Sequence, residues 1–161
     1  MELNQQYRDE IKQSVIVSND KAKWYVLQYG HLLEYLTSDQ QDNFDIVLSA
    51  VTKNGFALKF ASNKLKKNID IVEAAVKNYG TALQFSGKDL RFNKSIVMYA
   101  VRKNAYAINW ASKSIKGDID IMSYVIKKNK SLVMHATKDL LENTEFISLC
   151  KDLNITIPEN P

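Results

Sequence analysis

A period of 25 residues runs through this chain and limits what it can fold into more than any other feature. Ile46, Ile71, Ile96, Ile121 and Phe146 fall in one column, and Leu65, Leu90, Ile115 and Leu140 in another, with no gap between residues 43 and 142. A fixed period of this size marks a stacked repeat protein. Each unit in such a stack contacts only its neighbours, and equivalent outward positions line up into stripes. At 161 residues the chain is long enough for one domain with a substantial core and too short for two ordinary ones.

Residues 43–67, NFDIVLSAVTKNGFALKFASNKLKK, serve as the type unit. Asn43, with Asn68, Asn93, Asp118 and Asn143 in its register, carries a side chain that accepts from the free amides of a following helix, so this column reads as an N-cap. Asp45, Asp70, Asp120 and Glu145, with Ser95 the exception, place negative charge in the first turn, where the helix dipole favours it. Ile46, Val47, Ala50 and Val51 then fit one face of a helix about ten residues long. Asn54–Gly55 and Tyr79–Gly80 are expected to close that helix through a left-handed residue. Ala105 and Lys130 replace the glycine later, which predicts a less well specified turn there. A second, shorter helix carries Ala57, Leu58 and Ala61, matched by Ala82, Leu83 and Ser86, by Ala107, Ile108 and Ala111, and by Leu132, Val133 and Ala136. A connector with one apolar anchor, Leu65 or its equivalent, leads to the next cap.

The expected fold is therefore all-α, a solenoid-like stack of 25-residue helix-turn-helix repeats in a single domain. Residues 43–142 form four regular units, and residues 18–42 a degenerate one that keeps Val26, Gly30, Leu33 and Tyr35 but has Gln40 where Leu65 would stand. Residues 1–17, with Tyr7, Ile11 and Val15 at helical spacing, predict a capping helix. Residues 143–161 add a last helix and a tail in which Pro158 and Pro161 discourage continuation.

The motif Asn/Asp-x-x-Ile/Val-Val-x-x-Ala-Val-x-x-Asn-Gly-x-Ala-Leu-x-Phe-Ala-Ser-x-x-Leu-Lys, seen in DIVLSAVTKNGFALKFASNKLK and DIVEAAVKNYGTALQFSGKDLR, resembles a family of short α-helical repeats catalogued as a domain of unknown function (4116). The resemblance covers residues 43 to 140 and is strongest in the first two units. It implies a helical repeat fold and brings no agreed activity. Its recurring positions are caps, glycines and core residues, so it assigns no catalytic residue.

Charge is unevenly placed, with 17 lysines and arginines against 8 acidic residues between positions 42 and 141. Lys53, Lys103 and Lys128, and Lys77, Arg102 and Lys127, stand at the ends of first helices, where cations offset the dipole. Lys88, Lys113 and Lys138, and Lys66, Arg91 and Lys116, lie on the connectors and are candidates for an anion-binding surface. A second ladder is aromatic: Tyr35, Phe60, Phe85 and Trp110, ended by His135, with Phe56 and Tyr106 four residues before two of its members. Packing between units accounts for it; a half-exposed surface for a partner side chain or a base is the other reading.

Catalysis has little support: His31 and His135 are the only histidines, Cys150 is the only cysteine, and no phosphate loop, nucleophile elbow or metal spacing occurs. The lone cysteine points to a reducing compartment. A polar amino terminus and the absence of a long apolar run predict a cytoplasmic protein with no membrane span, or one delivered into a host cytoplasm without a conventional signal peptide. The expected function is a non-enzymatic, cofactor-free protein-interaction module, such as an effector or inhibitor that occupies a partner's surface. Tyr106, Trp110, Phe60, Phe85 and the connector lysines are its candidate residues. The alternative is a nucleic-acid-binding module using the basic columns.

Overall fold

Each unit begins where a side chain satisfies the free amides of a helix start. In the computed structural model, which describes residues 2–13 and 17–158, the Ile46 amide donates to the Asn43 side chain at 3.2 Å. The amides of Ile71, Ile96, Ile121 and Phe146 donate to Asn68, Asn93, Asp118 and Asn143 at 3.0–3.1 Å. Ten-residue α-helices follow the four regular caps, Phe44–Lys53, Ile69–Asn78, Lys94–Lys103 and Ile119–Lys128, and Thr144–Asp152 follows the fifth. Asn19–Gln28, capped by Ser18, is the same element one unit earlier. Each regular helix buries the face that its spacing marks out; in the first unit that face is Ile46, Val47, Ala50 and Val51.

The second element of every unit is a six-residue 3-10 helix: Gly30–Tyr35, Gly55–Phe60, Gly80–Phe85, Ala105–Trp110 and Lys130–His135. Asn54, Asn104 and Asn129 cap it, accepting from the amides of Phe56, Tyr106 and Ser131 at 3.0–3.1 Å. A third, shorter turn seats the connector anchor. Ser62, Ser112 and Thr137 accept from the amides of Leu65, Ile115 and Leu140, and all three anchors are buried. Gly87 has no hydroxyl to offer in this register, and Leu90 is left half-buried. Among the described residues there is no strand, and the result is an all-helical, solenoid-like stack.

Glycine does not close the long helices through a left-handed turn, as the sequence suggested. No glycine has positive φ, and Asn54 is extended at φ −147° and ψ 104°. The reason for glycine is the next unit. A Cβ on Gly30, Gly55 or Gly80 would stand 2.4, 2.3 or 2.4 Å from the carbonyl oxygen of Ala50, Ala75 or Ala100, inside van der Waals contact. Small residues on both sides thus let successive units approach backbone to backbone.

Loss of that glycine leaves the turn unchanged and alters the seam. Asn104 and Asn129 keep φ and ψ at −153°, 112° and −149°, 107°, so the expected loss of turn definition does not occur. Ala105 now carries the Cβ that a close approach excludes, and Val125 succeeds the alanines it would face. The long helix of the fourth unit accordingly stands off from that of the third, whereas the earlier long helices touch. One backbone hydrogen bond per seam persists throughout. Ser62, Gly87, Ser112 and Thr137 donate to the carbonyls of Gln41, Lys66, Arg91 and Lys116 at 2.9, 2.7, 3.0 and 3.2 Å.

Helix Glu2–Gln13 packs on the degenerate unit, with the Tyr7 ring 5.2, 5.8 and 6.0 Å from those of Trp24, Tyr25 and Tyr29. Val15 and Pro161 lie outside the described residues. Gln40 fills the anchor position as a buried polar residue, its amide donating to the Val17 carbonyl at 2.6 Å and its carbonyl oxygen accepting from the Thr37 amide. At the other end Asn154 takes the left-handed conformation, φ 52°, and the Ile155 amide donates to the Cys150 carbonyl at 2.8 Å. Ile155 and Ile157 then pack against the core.

Candidate binding surface

The rings that end the short helices sit at the rim of the core. Phe60, Phe85 and Trp110 are each half-buried, one per unit in the same register. Tyr35, the earlier member, lies beneath the amino-terminal helix, with Arg8 and Lys12 cations 5.0 and 5.2 Å from its ring centre. Phe56 ties two units together: its ring meets Phe85 at 5.1 Å and Phe60 and Tyr79 at 6.3 Å, all edge to face. That geometry is the favoured one for aromatic quadrupoles. Lys59 lies over both Phe56 and Phe60. Tyr106 is 50% exposed, and its hydroxyl accepts from the Asn129 side chain across the loosened seam at 2.9 Å.

The structure gives the two connector columns different fates. The Arg91 guanidinium donates to the carbonyls of Gln84 and Ser86 at 2.7 and 3.2 Å, and Lys116 to that of Asn109 at 3.2 Å. Two units before Arg91, in the same register, Gln41 donates to the carbonyls of Leu33 and Leu36. These side chains donate to carbonyls at or just past the end of a short helix, where few backbone amides remain to pair with them. Burial lowers the pKa of both Lys66 and Lys116. Lys88, Lys113 and Lys138 are exposed, and Lys138 lies 3.9 Å from Glu142. The structure therefore brings Phe60, Phe85, Lys66 and Lys88 to one stretch of surface, and places Arg91 and Lys116 in structural roles.

Lys59 and Tyr79 belong to this surface and escape sequence reasoning, because Lys59 does not recur in its column and Tyr79 is matched only by Tyr29 of the degenerate unit. The structural role of the inner column had a signal in Gln41, which shares the donors of Lys and Arg and not the charge. Elsewhere among the described residues no three His, Cys, Asp or Glu side chains gather as a metal would need. His135 is half-buried, and burial, with the nearby Lys116 charge, lowers its pKa. Burial pushes the Cys150 thiol up. No helix among the described residues is long and apolar enough to cross a membrane.

Comparison with known proteins agrees with the period. The sequence matches one family twice in tandem, over residues 43–91 and 93–141, and each match spans nearly two 25-residue units. No curated protein and no solved structure matches the chain. With its two matches together covering more than half of the sequence, the chain belongs to the family described as Domain of unknown function (DUF4116).

Proposed function

We propose that this chain is a non-enzymatic, cofactor-free protein-binding module, and that its docking surface is the row of half-exposed rings on the short helices. The observation that carries this reading is the edge-to-face cluster of Phe56, Tyr79 and Phe85, continued by Tyr106. Rings already held in place present a large contact area with little left to order on binding, and such anchors dominate interface energetics. Nucleic-acid binding needs an unbroken track of cations for successive phosphates. Arg91 and Lys116 are committed to backbone carbonyls, which takes two members of that column out of any phosphate track and weighs against that alternative. A role as an effector or inhibitor in a reducing cytoplasm belongs to the same proposal, and the solitary, buried Cys150 fits such a setting.

The test compares three variants for kinetics on an isolated partner. Tyr106→Ala is expected to raise the dissociation rate by about tenfold or more, while Tyr106→Phe, which keeps the ring and loses only the bond to Asn129, binds nearly normally. Changing Lys113 and Lys138 to Glu is expected to alter affinity by less than about threefold. A lysine variant that abolishes binding, together with a steep fall in affinity with salt, would favour a polyanion.

A further inference from the structure

Where the connector of the first regular unit meets the second, a groove of about 370 Å³ is lined by Asn63, Lys66, Lys67, Phe85, Gly87 and Lys88, with Ser86 at its edge. Three lysines and the half-buried Phe85 thus line one concavity. Among the described residues Lys66, Lys67 and Lys88 make no ion pair and no side-chain hydrogen bond. Lys66 is half-buried, and its depressed pKa has burial as its cause, so a cation is held partly out of water without a counter-charge.

The same place in the neighbouring seams is built differently. One unit later Arg91 stands for Lys66 and is spent on the carbonyls of Gln84 and Ser86, Phe92 replaces Lys67, and the Ser112 side chain occupies the register of Gly87. One unit earlier Gln41 donates to carbonyls, and Asp42 accepts from both Ser62 and Lys64. Only between the first and second regular units does a glycine leave the concavity open while the inner cation has no partner. A Cβ on Gly87 would lie 2.7 Å from the Lys67 side chain.

We propose that this groove binds a carboxylate side chain of the protein partner, an aspartate or glutamate carried by an extended segment whose adjacent apolar residue rests on Phe85. The inference deepens the ring-surface reading and rests on it. Charge complementarity chooses the occupant: three lysines and no acidic residue line the groove, in a region with 17 basic against 8 acidic residues between positions 42 and 141. A single groove, with its equivalents filled or committed, matches one anionic side chain and offers no track for a polyanion. Phe85 also touches Phe56 at 5.1 Å, so the groove continues into the ring cluster.

The probe is a fluorescein-labelled octapeptide of alternating glutamate and leucine, followed by anisotropy at low salt with the full chain. The wild type is expected to bind it, and Lys66→Glu with Lys88→Glu to weaken binding by about tenfold or more. Lys88→Glu alone, at an exposed position, carries the same test should the Lys66 change disturb the fold by circular dichroism. Gly87→Ser restores the residue of the neighbouring units and is expected to weaken binding by narrowing the groove. Lys113→Glu with Lys138→Glu makes the same change in net charge elsewhere and is expected to leave binding within about threefold. Equal losses from both lysine pairs, no binding by the wild type, or tighter binding of a labelled oligothymidylate would overturn the groove. Peptide binding that ignores Lys66 and Lys88 but is lost in Phe56→Ala would also remove the groove, while leaving the ring surface standing.

Discussion

Gly55 and Ala75 show how much of a repeat stack is decided by two hydrogen atoms where a methyl could be. The Gly55 Cβ position lies 2.3 Å from the Ala75 carbonyl oxygen, and backbone cannot yield as a flexible side chain does. Gly55→Ala is expected to lower stability by roughly 1–3 kcal/mol, the usual cost of overpacking, measured by urea denaturation. Asn68→Ala removes an acceptor shared by the amides of Asp70 and Ile71 and is expected to cost about 1 kcal/mol. The caps were legible because only one local chemistry asks for Asn or Asp before an acidic first turn. The purpose of the glycine was not, since a left-handed turn and a close approach both select it. The pairing of Gly30, Gly55 and Gly80 with Ala50, Ala75 and Ala100, twenty residues on in each case, was the available signal. His135 adds a pH dependence whose sign follows from its lowered pKa. The unfolded chain takes up the proton first, so stability falls as pH drops through about 6.5, and the loss is complete below the folded-state value. His135→Phe, which restores the ring of the other units, is expected to flatten that fall in thermal melts between pH 7 and 5.

The short helices were legible as elements and not as 3-10 helices, because Ala57, Leu58 and Ala61 suit either geometry over six residues. Their tighter winding, three residues to the turn, sets the rims on which Phe60, Phe85 and Trp110 are carried. The seam between the third and fourth units is the weak one. With the two long helices standing apart, Lys94 reaches across to Asp118 and Asp120 at 2.7 and 2.8 Å, and these carboxylates raise its pKa. Lys94 and Asp120 are 51% and 72% exposed, so salt screens much of their attraction. Hydrogen exchange is expected to be faster in residues 118–141 than in residues 43–103, and faster still at high salt. Ala105→Gly with Val125→Ala, which reinstates the small pair of the tighter seams, is expected to slow exchange in the fourth unit. Uniform protection along the stack would contradict this account of the seam.

At the scale of the whole molecule, nearest-neighbour contacts hold the array together, so one spoiled interface divides it. Ala75→Asp places a charge at a fully buried position facing Gly55 and is expected to abolish cooperative unfolding by circular dichroism. The architecture was legible from the period alone. The candidate surface was half legible, because a ladder of rings shows in sequence while the burial of each ring depends on how neighbouring units pack. The function proposed for this stack is to hold a protein on its ring row. Affinity capture from nuclease-treated lysate, comparing the wild type with a Phe56→Ala, Tyr106→Ala variant of unchanged helicity, tests it most directly. A protein retained by the wild type at moderate salt and lost by the variant is the result predicted. Retention indifferent to both rings, or a captured species that disappears with nuclease, would contradict it.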